Sequence, residues 1–231
     1  MRIFGRIIVL ALFLGSMALG ATAHAATYTT MTLPTLNADI STWSDGSTYD
    51  AIFPGLHTWN GVPFNLVVDS NSNNVFYGET LTIPCSVYGV ASAYTMINSA
   101  YGSYGATVGK IEFHGSDGAY YRVDLVEGIN VRDHYAGGWN NIIDGINAVP
   151  AFDNGNGRAR LDMQIYALPV DFSDEILSEI VFTSYMKGSN GGQPFIAAAT
   201  VVASAVPIPP AVLLFGPGLI GLIGVRKRFT K

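Results

Sequence analysis

A single cysteine, Cys85, stands in the whole chain of 231 residues, so no internal disulfide can hold the fold together in an oxidising compartment. Its surroundings, LTIPCSVYGV, read as an apolar strand with a buried, inert thiol. Charge is scarce too, at 13% of residues. Six of the twelve Lys and Arg residues lie in the two ends of the chain, so residues 26–205 hold six basic groups against all seventeen acidic ones, a net of −11. Nucleic acid is therefore excluded as a partner, since phosphate binding needs clustered cations. The histidines, His24, His57, His114 and His134, show neither HxH nor HExxH spacing, which removes the usual zinc patterns. There is no Gly-x-Ser-x-Gly elbow and no phosphate-binding glycine loop. No amphipathic helix longer than two turns is convincing.

What the middle of the chain does have is a hydrophobic period of two. Phe64, Leu66 and Val68 share one face, and Tyr121, Val123 and Leu125 oppose Tyr120, Arg122 and Asp124. Such alternation predicts half-buried strands. Strands are expected at 64–69, 79–83, 87–97, 108–113, 120–125, 160–166, 176–182 and 195–202, about eight in all. Asp117-Gly118 can take the positive φ angles of a tight hairpin turn, and Asn-, Gly- and Asp-rich stretches at 69–74 and 153–157 mark further loops. The expected fold is all-β: an antiparallel β-sandwich, most simply a jelly roll, in one domain over residues 26–205.

Both ends carry a different signal. Arg2 and Arg6 precede an apolar stretch from Ile7 to Leu19, and Ala23-His24-Ala25 is the small-x-small pattern of signal peptidase cleavage. Residues 1–25 are thus expected to be a secretory signal peptide, with Ala26 the first mature residue. At the other end Val206, Pro207, Ile208 and Pro209 introduce an apolar run over 211–225, which stops at Arg226, Lys227 and Arg228. Fifteen helical residues rise about 22 Å against a hydrocarbon core of about 30 Å, so the run barely spans a membrane. The basic cluster would stay on the cytoplasmic side and hold the segment in place transiently, although a permanent single-span anchor is the alternative.

The order Pro-x-Pro, apolar segment, basic cluster resembles the PEP-CTERM sorting signal, with Ile208 where that signal usually has glutamate. The resemblance implies that residues 206–231 are a sorting signal for an exosortase-type membrane protease, in a Gram-negative bacterium, and that the protein ends at the cell envelope, the cell surface or the extracellular matrix. A second resemblance lies between the ends. The motifs TWNGVPFNLV (58–67), VGKIEFHGSDGAYYRVDLVEGINVRDHY (108–135), DEILSEIVFTS (174–184) and the strand FIAAATVV look like the galactose-binding-like β-sandwich modules of exported bacterial proteins. Such modules bind carbohydrate, usually without catalysis.

Sugar sites stack a pyranose on an aromatic face and fix its hydroxyls with planar amides and carboxylates. The densest stretch with both chemistries is Asn130, Arg132, Asp133, His134, Tyr135, then Trp139, Asn140 and Asn141. Asn130, Asp133, Tyr135, Trp139 and Asn140 are the candidate ligand-binding residues. The bland alternative is that Tyr135 and Trp139 plug one end of the sandwich while Arg132 pairs with an acid. Asn60-Gly61 after Trp59 reads as turn chemistry, and Trp43 as part of a loosely ordered approach segment. Asp153-Asn154-Gly155-Asn156-Gly157 spaces oxygen ligands as a calcium loop does, but Gln164 stands where an EF-hand needs its acid, and a plain hairpin is the favoured reading. No cofactor is called for. The sequence points to a non-enzymatic exported protein that binds, or is embedded in, polysaccharide. A structural or adhesive envelope component without a defined ligand, and a carbohydrate-active enzyme using two loop carboxylates, are the alternatives.

Overall fold

The computed structural model describes residues 26–43, 49–155 and 157–204. The expected signal segment with Ala23 and Ala25 lies outside the described residues, as do Val206, Pro207, Ile208, Pro209, the apolar run 211–225 and Arg226, Lys227 and Arg228. No helix among the described residues is long and apolar enough to cross a membrane.

The described residues form eleven strands: β1 (Thr27–Met31), β2 (Gly55–Trp59), β3 (Val62–Leu66), β4 (Thr80–Tyr88), β5 (Val90–Ala100), β6 (Thr107–Gly115), β7 (Tyr120–Val126), β8 (Ala148–Asp153), β9 (Arg160–Ala167), β10 (Ile176–Ser184) and β11 (Gln193–Ala203). One sheet runs β1-β11-β5-β9-β8, a second runs β4-β10-β6-β7, and β2 and β3 make a separate hairpin. Every pairing between these strands is antiparallel. The fold is all-β and sandwich-like, with more strands than the alternation predicts.

The three added strands, β1, β2 and β8, lack the pattern that reveals a strand. TYTTM and AVPAFD are sheet edges with little apolar content on a fixed face, and β8 carries Pro150, which an edge strand tolerates because one side of its backbone needs no ladder bonds. The expected strand 87–97 is two strands. Gly89 takes φ +68 between them, and there the chain leaves the four-stranded sheet for the five-stranded one. Pro84 does not break β4, because β4 is also an edge and its register with β10 slips beside Glu179.

Leu81, Ile83 and Cys85 of β4, Ile111 and Phe113 of β6, and Leu177, Ile180 and Phe182 of β10 meet Ala93, Ile97, Tyr166, Ala199 and Val201 of the larger sheet. The larger sheet is covered on its other face as well. Phe64 and Leu66 of the hairpin, with Ile40, Tyr49 and Ile52 from the preceding segment, pack on Met96, Leu161, Met163, Phe195 and Ala198. Burial on both faces explains why β11 reads FIAAATVV instead of alternating. Each such fully buried large side chain contributes about 1.5–3 kcal/mol.

One hairpin turn follows its sequence chemistry, while in the other, at Asp117-Gly118, only Gly118 takes a positive φ (+110). Asn60 (φ 51) and Gly61 (φ 81) form the two-residue link of the β2–β3 hairpin, as an Asn-Gly pair can at low cost. The β6–β7 turn is closed by a group far away in sequence. Glu175 accepts hydrogen bonds from the Asp117 and Ala119 amides (2.6 and 2.8 Å), with its carboxylate lying against Gly115, where a Cβ would come within 1.9 Å.

Candidate functional site

The site begins where two strands separate. β5 and β9 pair from Ser92↔Ala167 to Met96↔Met163 and then part. Side-chain amides and acids replace the missing ladder bonds in the gap. Gln164 Oε1 accepts from Ile97 N (2.8 Å) and its Nε2 donates to Ile97 O (2.7 Å). Asn98 and Asp162 bond reciprocally, Nδ2 to Oδ2 at 2.7 Å and Asp162 N to Asn98 Oδ1 at 2.8 Å. Into the widened gap drops a segment of the 127–147 loop: Ser99 N donates to Arg132 O, His134 N to Ser99 O and Arg160 N to His134 O.

Two arginines anchor that segment from below. Arg132 clamps the fully buried Asp162 with two bonds, Nε to Oδ2 at 2.8 Å and Nη2 to Oδ1 at 2.7 Å. This bidentate geometry fixes direction as well as distance. Arg160 Nη2 donates to Asp133 O and Asn141 Oδ1, each at 2.7 Å, while its buried Nε has no partner.

Above this polar floor lies a cleft of about 460 Å³. Its aromatic walls come from four separate places: Trp43 after the helical turn Ile40–Thr42, Tyr77 between β3 and β4, Tyr101 just past β5, and Tyr135 and Trp139 in the loop. Trp43 stands edge-on to Tyr77, Phe195 and His134, with ring centroids 5.0, 5.4 and 5.5 Å apart. Tyr101 meets Trp139 edge to face at 5.5 Å. Tyr101 holds φ +68, an unusual backbone state for a side chain that bulky, and Gly102 follows with φ +117. Trp43 is thus packed into the wall of the cleft, contrary to the loosely ordered segment expected for it.

The five candidate residues divide. Asp133, Tyr135 and Trp139 line the cleft. Asn130 and Asn140 are buried with both ends of each amide engaged inside the loop. Asn130 accepts from Val126 N (2.8 Å) and donates to Asp124 O (2.9 Å). Asn140 donates to Glu127 Oε2 (2.8 Å) and accepts from Ile142 N (3.1 Å). Sequence reasoning set Trp43 aside as part of an approach segment and did not reach Tyr77 or Tyr101, whose neighbours in the chain carry no site chemistry.

Burial shifts the acid and the histidine that line the cleft in opposite directions. Burial pushes Asp133 up to about 6, although Tyr135 N (2.9 Å) and Arg160 act the other way. Burial pulls His134 down to about 4, helped by Arg160, so its ring is neutral at pH 7, with Nδ1 at 2.9 Å from the Tyr49 hydroxyl. Behind the wall sits Glu127, fully buried, with Oε1 lacking a hydrogen-bond partner and burial raising it to about 7. An acid in a setting that raises its pKa is therefore present, although no sequence segment shows it. Among the described residues no group of His, Cys, Asp and Glu could hold a metal ion. In the loop considered for calcium, Asp153 Oδ1 accepts from Gly155 N (2.8 Å). What the cleft offers chemically is aromatic surface with one weak acid and no cation among its lining residues. No protein-family model matches the chain, and no curated protein matches its sequence.

Proposed function

We propose that this is an exported, non-catalytic protein whose loop-end cleft binds neutral polysaccharide. The observation that carries the reading is the convergence of Trp43, Tyr77, Tyr101, Tyr135 and Trp139 around Asp133. Sugar C–H faces pack on aromatic rings, and a carboxyl group pairs directionally with hydroxyls. The net charge of −11 over 26–205 disfavours polyanions and leaves neutral glycans as the favoured class. A glycosidase sets two carboxyl groups across the bond it breaks, and Asp133 is the one carboxyl among the lining residues, which favours binding over hydrolysis. Asp133, held near 6, is nevertheless the group that would suit a general acid, and this keeps hydrolysis as the second reading.

The finer architecture we infer is a jelly roll. The orders β1-β11-β5-β9 and β4-β10-β6-β7 are those of eight strands wound as two interleaved Greek keys, with β8 added at one edge and the β2–β3 hairpin inserted between the first two strands. The end segments support export, removal of residues 1–25 by signal peptidase, and sorting of the tail by an exosortase-type protease to the envelope or the extracellular polymer. Intact mass of the protein recovered from its host tests this. A start at Ala26 and loss of the tail near Pro207 agree with it, and an uncut chain refutes it.

The binding test is a glycan array probed with the full chain in a detergent without a sugar headgroup, with calcium and with chelator, beside Trp139→Ala. Binding lost in the variant supports the cleft. Release of reducing sugar favours the enzyme, and no binding at all leaves a structural component of the envelope.

A further inference from the structure

A second aromatic surface lies on the far side of Trp139. A shallower depression of about 560 Å³ is bounded by Tyr104, Trp139, Asn140, Asn141 and Ile142, so Trp139 is shared by both hollows. Tyr104 is 70% exposed, which for a ring of that size normally means a freely rotating side chain. Here it has a seat. Ala106 N donates to Ser103 O (3.0 Å), and Gly105 takes φ +83, so Tyr104 occupies the first corner of a tight turn whose second corner requires a glycine. Gly105 N donates to Glu127 O (2.8 Å) and ties the turn to the loop. The Tyr104 ring lies on Gly128, so closely that a Cβ there would come within 2.3 Å of it. Gly128 has φ +90, so that position favours glycine on two grounds.

The rest of the depression is held just as firmly. Asn141 Nδ2 donates to the Gly137 and Trp139 carbonyls (3.1 and 2.9 Å), and its Oδ1 accepts from Arg160. An aromatic ring with one side on a glycine backbone and much of the rest open to water is a stacking platform.

Resting on the reading that the cleft binds neutral glycan, we propose that Tyr104 forms a second sugar subsite, and that the ligand is a polysaccharide chain crossing Trp139 from one hollow to the other. The occupant is an internal stretch of polymer, not a terminal sugar. A single sugar could sit in the deeper cleft alone and would gain nothing from the Tyr104 platform. The absence of cations from both linings, with the −11 charge, makes the polymer a neutral one.

The experiment is titration of the full chain, in detergent without a sugar headgroup, with matched mono- and hexasaccharides of β-1,4-linked glucose, xylose, mannose and galactose. Wild type, Tyr104→Ala, Tyr104→Phe and Trp139→Ala are compared. Hexasaccharide of the preferred sugar should bind better than its monosaccharide. Tyr104→Ala should weaken hexasaccharide about three- to tenfold, the range expected for one aromatic stacking contact, and leave monosaccharide unchanged. Tyr104→Phe should bind like wild type, and Trp139→Ala should weaken both ligands. Equal affinity for both lengths overturns the second subsite while the cleft reading survives, and so does a Tyr104→Ala variant that binds hexasaccharide normally. Failure of every sugar to bind wild type removes the cleft reading, and the subsite with it.

Discussion

Replacing Glu127 by glutamine should stabilise the protein at pH 8 and not at pH 4.5. Glu127 is fully buried, its Oε2 receives the Asn140 amide at 2.8 Å, and its Oε1 has no hydrogen-bond partner. Burial lifts it from 4.5 to about 7, Asn140 and Ser99 offset part of that rise, and the charge of Asp133 adds to it. In the unfolded chain the group ionises near its ordinary value, so as pH rises through 4.5 the unfolded state loses its proton first. Stability contributed by the protonated form is complete below about 4.5, drains away up to about 7, and is gone above it. At about 1.4 kcal/mol per pH unit the loss comes to about 3 kcal/mol.

Glutamine keeps the shape and the acceptor for Asn140 and never ionises, so it escapes that loss. Its amide hydrogens then occupy the place of Oε1, where an unmatched donor costs about 1–3 kcal/mol. The Ser99 hydroxyl already accepts from Gln193 N (3.0 Å) and donates to the Ala100 carbonyl (3.3 Å), so it relieves that cost only in part. The variant should therefore be about 1–2 kcal/mol more stable than wild type at pH 8 and less stable at pH 4.5, a swing of about 3 kcal/mol. Urea unfolding at several pH values measures it, with slopes compared to confirm that the unfolded states match. A difference between the two proteins that does not change with pH would refute the buried, raised carboxyl.

Arg132→Met leaves the Asp162 carboxylate buried without its bidentate partner and should cost about 3–5 kcal/mol in urea unfolding, whereas a loss below about 1 kcal/mol would mean the pair does not anchor the loop. Gly128→Ala drives a methyl group into the seat of Tyr104 at φ +90; stability should fall by about 1–2 kcal/mol, and any preference for hexasaccharide should vanish while monosaccharide binding stays. Cys85, whose thiol burial pushes up to about 12, should react with iodoacetamide at pH 8 no faster than the protein unfolds, and rapid labelling of the native protein would contradict its placement in the core.

How much of this was legible in the sequence depended on whether a residue's role was local. Strands with one wet face, such as β4 and β7, announce themselves, because Leu81, Ile83 and Cys85 or Val123 and Leu125 recur at every second position. The edge strands of the larger sheet do not, since Thr27–Met31 and Ala148–Asp153 owe their conformation to pairing with β11 and β9 and not to any pattern of their own. The break at Gly89 was hidden for a similar reason. A glycine between apolar residues reads as a weak strand position until the chain is seen to change sheets there.

The site shows the same division more sharply. The 127–147 loop is where chemistry-bearing residues are dense, yet a long irregular loop set between diverging strands must first satisfy its own buried backbone. Asn130 and Asn140 meet that requirement: their amides close hydrogen bonds at Val126, Asp124, Val131 and Ile142, so the groups that look most suited to sugar hydroxyls are turned inward. The aromatic rings of the same loop have far less polar demand to meet and can face the cleft. Their partners had to come from other segments, because a concave wall needs surfaces on several sides and one loop supplies only one. Trp43, Tyr77 and Tyr101 lie on different connections, and what unites them is that the ends of β5 and β11 and the segment before β4 arrive at the same end of the larger sheet. A local reading of the sequence finds the loop that forms the floor and one wall of such a site. The opposing wall follows from topology.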